Sequence, residues 1–148
     1  MRIYLDVCCL CRPYDFQGDY RVRLESEAVL ILLSKIESGE LELIGSEVID
    51  FEVGKIHEKE KQFSVSLVSH IAKKKILLTE KLFTRAVYFE QQGLKALDAL
   101  HIACAEEGSD VFLSVDTKLL SKAKKIQDLK VTIHNALDFV STLLEGRR

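Results

Sequence analysis

Four carboxylates in this sequence stand beside apolar segments rather than in polar surface stretches. Asp6 directly follows the β-rich run RIYL, and Asp116 closes the apolar run VFLSV. Glu52 lies in SEVIDFEV, on the flank of a face formed by Val48, Phe51, Val53 and Ile56. Asp98 stands near the head of the helical stretch GLKALDALHIACAEEG and shares a face with Ile102 and Ala105 at helical spacing. Carboxylates forced together repel one another, and without a cation some take up protons. A divalent ion removes that penalty, and hard oxygen ligands suit Mg²⁺ or Mn²⁺ better than zinc. Such an ion accepts phosphate oxygens, lowers the pKa of a bound water and stabilises a leaving oxygen. If the four acids meet, the chemistry open to them is metal-assisted hydrolysis of a phosphodiester.

Each acid also has a plainer role. Asp6 and Asp116 suit turns or helix caps, and Glu52 suits a solvated helix face. Asp98 suits a first helical turn, where the dipole is worth about 0.3–1 kcal/mol. What separates the two interpretations is whether the surrounding elements bring the acids together.

Those elements alternate. Short strands are expected at Arg2 to Leu5, Leu41 to Gly45, Lys75 to Thr79, Asp110 to Asp116 and Lys130 to His134. Between them lie helical stretches. The first runs from Tyr20 to Ser38, with Leu24, Ala28, Ile31, Leu32 and Ile36 on one face and Gly39 as its stop. The next opens at Ser46 as N-cap and reads through SEVIDFEVGKIHEKEK, followed by QFSVSLVSHIAKK with Val65, Val68, Ile71 and Ala72 inward. EKLFTRAVYFEQQG ends at Gly93, the Asp98 stretch follows, TKLLSKAKKI is short, and a last helix is capped by Asn135. Strands separated by helices predict an α/β fold, a three-layer α/β/α sandwich with a mostly parallel central sheet. In such sheets ligands bind beyond the carboxyl ends of the strands, which is where these acids fall.

The 148 residues, 47% hydrophobic and 30% charged, suit a single globular domain spanning 1–148. A net charge of −2 argues against a partner held mainly by a basic surface. No apolar run approaches the roughly 18 residues of a membrane span. An acid interrupts MRIYLDVCC too early for a signal peptide, so no membrane association and a cytoplasmic location are expected. Cys8, Cys9 and Cys11 crowd into DVCCLC and Cys104 lies beside His101 in the Asp98 stretch. They are expected to be small buried hydrophobes, the first three at the end of a core strand. The alternative is a metal site of Cys8, Cys11, Cys104 and His101. No GxGxxG follows a strand, which disfavours a dinucleotide binder. A phospho-receiver would need paired acids after the first strand, and only Asp6 stands there.

The motifs IYLDVCCL, LIGSEVIDFEV and ALDALHIACAEEGSDVFLSVD resemble the PIN-domain nuclease family, which includes the VapC-like toxins of toxin–antitoxin pairs. The similarity covers nearly the whole chain. It implies the PIN-like α/β/α sandwich and a metal-dependent endoribonuclease, with Asp6, Glu52, Asp98 and Asp116 as the Mg²⁺- or Mn²⁺-binding quartet. RNA as substrate, an antitoxin protein as partner and a homodimer follow from the same resemblance. Ser114 matches a small hydroxyl residue often found two places before the last acid. Family members usually carry Thr and then Asn or Ser after the first acid, where this chain has Val7 and Cys8. Lost donors there weaken the shell that orients Asp6, which leaves as alternative a catalytically weak or inactive RNA- or protein-binding module. The Cys11–Arg23 segment is longer than the usual loop and is expected to shape the substrate entrance. Arg12, Arg21 and Arg23 are either phosphate contacts or solvated charges, and Lys73 to Lys75 is expected to be a soluble surface run.

Overall fold

Parallel strands need crossover segments between them, and the chain supplies one for every pair. The computed structural model describes residues 1–146. Its elements run β1 (Arg2–Leu5), α1 (Val7–Cys11), a 3-10 turn (Arg12–Tyr14), α2 (Tyr20–Glu37), β2 (Glu42–Ser46), α3 (Glu47–Val53) and α4 (Lys59–Ser69). They continue with β3 (Lys74–Ile76), α5 (Glu80–Gln91), α6 (Ala96–Gly108), β4 (Val111–Ser114), α7 (Thr117–Ala123), β5 (Thr132–Asn135) and α8 (Ala136–Glu145). The sheet order is β3-β2-β1-β4-β5 and every pairing is parallel. The chain builds outward from β1 to β3, then crosses back and places β4 on the other side of β1. That reversal opens a crevice beyond the carboxyl ends of β1 and β4.

The central strands are covered on both faces, which explains their nearly unbroken apolar runs. Tyr4 and Phe112 are register partners and stack with ring centroids 5.7 Å apart on the α6 side. Strand alternation then sends Ile3 and Leu5 to the opposite layer. Helix α6 contacts β1, β2, β3 and β4, with α5 packed against it, while α2 and α8 pair with each other and α8 rests on β4 and β5. Ala99, Ile102, Ala103, Cys104 and Ala105 are all within 1% of complete burial, so small side chains bring α6 close to the sheet, although Ala96 is exposed. Among the described residues no helix is long and apolar enough to cross a membrane.

Local chemistry sets the boundaries. Gly39 and Gly93 have φ of +86° and +108°, a region that side chains with a Cβ rarely enter, and they stop α2 and α5. Ser46 Oγ accepts from Ile49 N at 3.1 Å, and Asn135 Oδ1 accepts from Leu137 N at 2.8 Å. Caps of this type are worth about 1 kcal/mol each.

The structure departs from the sequence reading in six places. Cys8, Cys9 and Cys11 lie on α1, not on a strand, because Asp6 caps that helix through Cys9 N. The stretch from Ser46 is not one helix: α3 ends at Gly54 and α4 begins at Lys59. On α3 the inward positions are Val48, Ile49 and Val53, which turns Phe51 outward to 52% exposure beneath the Lys55 ammonium. Strand β3 stops at Ile76, since Thr79 is already occupied as the α5 cap. Ile71 lies beyond the end of α4 and is exposed.

The sixth departure concerns α2. Leu24 is exposed, and the inward row is Glu25, Ala28, Val29, Leu32 and Ile36. Glu25 is 1% exposed and held by Arg12 Nε at 2.8 Å and Arg21 Nε at 3.0 Å. Arg12 also pairs with Asp15, whose other oxygen meets Lys61 of α4 at 2.6 Å. Arg23 stacks over the Tyr20 ring. The Cys11–Arg23 segment is therefore pinned by ion pairs, and Arg12 and Arg21 are tied to Glu25. Lys75 pairs with Asp50 across the exposed edge at β3. Replacing Glu25 by Ala should destabilise the protein by about 1–3 kcal/mol in urea unfolding, at the low end for a buried charge network because the arginines can rehydrate. Unchanged stability would show that the cluster does not hold the segment.

Candidate active site

Asp6 leaves β1 at the crevice and caps α1. Its carboxylate is 5% exposed and fully engaged. Oδ1 accepts from the Cys8 thiol at 2.8 Å and from Cys9 N at 3.2 Å, and Oδ2 accepts from Ser114 Oγ at 2.6 Å. Burial pushes the Asp6 carboxyl above the ordinary carboxylate range, and the Cys8 and Ser114 donors oppose that rise. Val7 and Cys8 therefore do not leave Asp6 without a donor: the thiol occupies the place where an amide or hydroxyl was expected.

Asp116 follows β4 on the other side of the crevice. Its Oδ1 caps α7 by accepting from Lys118 N and Leu119 N at 3.0 and 3.2 Å, and the residue is exposed. Asp116 N donates to Ser114 Oγ at 3.0 Å, so one buried hydroxyl accepts from one acid's backbone and donates to the other's carboxylate. The spacing Ser-x-Asp at the end of an apolar strand was the readable sign of this bridge.

Asp98 lies in the first turn of α6 and is half-buried. Its carboxyl is also pushed up, first by burial and then by the negative charges of Asp116 and Asp6, with Glu52 adding to them. Glu52 lies in the last turn of α3 with 29% of its side chain exposed, and its Oε1 bonds His101 Nε2. Asp116, Asp6 and Glu52 are thus all within electrostatic reach of Asp98. They are not drawn into a tight cluster. Among the described residues the one group of three or more His, Cys, Asp or Glu ligand atoms within 4.8 Å of one another is Asp6, Cys8 and Cys9.

The donor chemistry fits a hard divalent ion. Carboxylates whose proton affinity is raised by burial and by one another are sites that a cation relieves. Their wider spacing suits Mg²⁺, which takes one or two carboxylates and keeps several waters. The alternative site of Cys8, Cys11, Cys104 and His101 fits poorly. All four cysteines are free, and burial pushes the thiols of Cys11 and Cys104 up to about 11 and about 12, which keeps them protonated. Both nitrogens of His101 are already engaged, by Glu52 and by Tyr4.

Tyr4 and His101 were not identified as site-supporting residues from sequence. Their available signals were spacing alone: Tyr4 stands two residues before Asp6, and His101 one helical turn after Asp98.

Two solved structures share this arrangement of elements. One is FitAcB from Neisseria gonorrhoeae, 16% identical over 90% of this chain and 97% of that chain, with a TM-score of 0.57. The other is VapBC2 from Rickettsia felis bound to a DNA fragment from their promoter, 17% identical over 91% and 98%, with a TM-score of 0.57. No protein-family description and no curated protein matches the sequence. The likeness establishes the class of fold: a PIN-like three-layer α/β/α sandwich, in agreement with the resemblance carried by the acid-bearing motifs. The central sheet is wholly parallel, where a mostly parallel one was expected.

The raised carboxyl of Asp98 has a consequence for stability. A folded-state pKa above the unfolded value means the native protein binds protons more readily than the unfolded chain, so this group costs stability at neutral pH. The cost disappears as pH falls through the folded pKa toward the unfolded carboxylate range. In metal-free buffer Asp98→Asn should therefore be more stable than wild type at pH 7, and the gap should close on acidification toward pH 4. Urea unfolding across that range checks the sign, and a gap that widens at low pH would contradict it.

Proposed function

We propose that this chain is a metal-dependent endoribonuclease that hydrolyses RNA phosphodiester bonds, the toxin of a toxin–antitoxin pair. The observation that supports the reading is that Asp116, Asp6 and Glu52, which follow the carboxyl ends of three neighbouring strands, all act on the Asp98 carboxyl. We assign these four as the residues that hold Mg²⁺ or Mn²⁺. Four uncompensated carboxylates would repel a phosphodiester, so the reading requires a cation there. When bound, the ion supplies Lewis acidity, an activated water and charge relief at the leaving oxygen.

The chain's own groups set the stage for this chemistry. Cys8 and Ser114 each donate to one oxygen of Asp6, and the α7 cap holds Asp116 by Oδ1 alone. Asp98 stands in the first turn of α6, a helix fixed to the sheet by its buried Ala99, Ile102 and Ala103. Water adds to phosphorus, the ester oxygen leaves, and the proton lost from the water must be taken up nearby.

The VapC-like motifs and the fold shared with VapBC2 support a toxin held in check by an antitoxin protein. The homodimer implied by the resemblance is assigned with it. A second reading, a PIN-fold RNA- or protein-binding module without catalysis, is favoured by the thiol bound to Asp6 in place of the usual donors.

Incubation of the purified protein with varied RNAs and Mg²⁺ or Mn²⁺ separates the two. The nuclease reading expects cleavage that chelation abolishes, and a loss of about 100-fold or more in Asp98→Asn, beyond what supporting residues usually cost. Metal-independent cleavage, or equal rates in both proteins, would refute it. Metal binding with no cleavage of any RNA would establish the binding module.

A further inference from the structure

Behind the acids lies a closed circuit of buried polar side chains. Ser46, Tyr4 and His101 are 1%, 0% and 2% exposed. Ser46 Oγ lies 2.7 Å from the Tyr4 hydroxyl, which lies 2.6 Å from His101 Nδ1, and His101 Nε2 meets Glu52 Oε1. Ser46 is the N-cap of α3 and Glu52 stands in the last turn of the same helix. The circuit therefore leaves the head of α3, passes through β1 and α6, and returns to its foot.

The protons run in one direction. Opposite an accepting Glu52 carboxylate His101 Nε2 carries the hydrogen, and in the neutral ring Nδ1 then accepts from Tyr4. Tyr4 in turn accepts from Ser46, whose oxygen accepts from Ile49 N at 3.1 Å. Every buried donor and acceptor in the circuit is matched, which is what makes such a network rigid.

We propose that His101 is a positioning residue of the acid site: it fixes the Glu52 carboxylate, and Tyr4 fixes His101. This rests on the reading of the four acids as metal-binding groups. Glutamate has three rotatable bonds, and at the half-exposed foot of a short helix it would otherwise sample many rotamers. His101 takes Oε1 and leaves Oε2 without a hydrogen-bond partner among the described residues. The three elements tied together are the three that carry or directly precede Glu52, Asp98 and Asp6. Loss of the ring donor should therefore loosen one acid relative to the others without removing any charge from the site.

The test measures Mn²⁺ binding to the intact protein by calorimetry. His101→Leu, which fills similar space without a donor, should weaken Mn²⁺ binding about 10- to 100-fold, the usual cost of losing a group that orients a ligand. His101→Gln, whose amide can donate to Glu52, should recover at least part of that loss. Tyr4→Phe removes one hydroxyl and should weaken binding by a smaller factor. Ile102→Val loosens the same helix without touching the circuit and should bind as wild type does. Wild-type affinity in His101→Leu, with binding lost in Asp98→Asn, would overturn the inference and leave the nuclease reading standing. No Mn²⁺ binding by the wild type would overturn both. Imidazole ¹⁵N spectra of the wild type give an independent readout should the Leu variant fail to fold. A proton on Nε2 supports the circuit, and a ring protonated only on Nδ1 overturns it.

Discussion

Like charges gathered at one sheet edge are the constraint around which the rest of this structure is arranged. Asp98 takes its raised proton affinity from burial and from Asp116, Asp6 and Glu52, the groups with which it shares the crevice. Each acid is therefore tied down by a separate device. A hydroxyl, a thiol and a backbone amide hold Asp6, a helix cap holds Asp116, an imidazole holds Glu52, and Asp98 is carried on a helix packed closely on the sheet. Without such tethers the carboxylates would move apart into water, where their repulsion is weak.

Basic side chains near this edge serve other acids. Arg21 donates to the carbonyl of Val115, next to Asp116, yet its Nε is paired with Glu25. Arg12 serves Glu25 and Asp15, and Lys61 serves Asp15. The long segment after α1 is thus anchored by its own charge network. The mutual repulsion at the crevice is left for protons, or for a cation, to relieve.

Ser114 shows how few atoms join the two halves of the site. Its hydroxyl lies between a carboxylate from β1 and a backbone amide from beyond β4, adjacent strands at the reversal in strand order. The same reversal that opens the crevice brings these residues together, although 108 positions separate Ser114 from Asp6 in sequence. Tyr4 plays the corresponding part on the other side of β1, toward α3 and α6.

Much of this was legible from local pattern. The alternation of apolar runs and amphipathic stretches determined the strands, the helices and their covered parallel sheet, because periodicity and caps act within a few residues. Gly39, Gly93, Ser46 and Asn135 marked boundaries for the same reason, and the acids at strand ends followed from the sheet rule. Phe51, Leu24 and Ile71 were misplaced because helical phase drifts with where a helix starts and stops. Glu25 was passed over because only two arginines from elsewhere in the chain make its burial tolerable. The cysteines of α1 read as strand because five apolar residues carry no period of their own, and Asp6 decided the matter as a cap. Residue types and local spacing, then, were determined by the sequence itself. Which acid meets which partner, and that Tyr4 and His101 stand behind them, was decided only by the tertiary structure, since hydrogen bonds between distant segments depend on the strand order that brings those segments together.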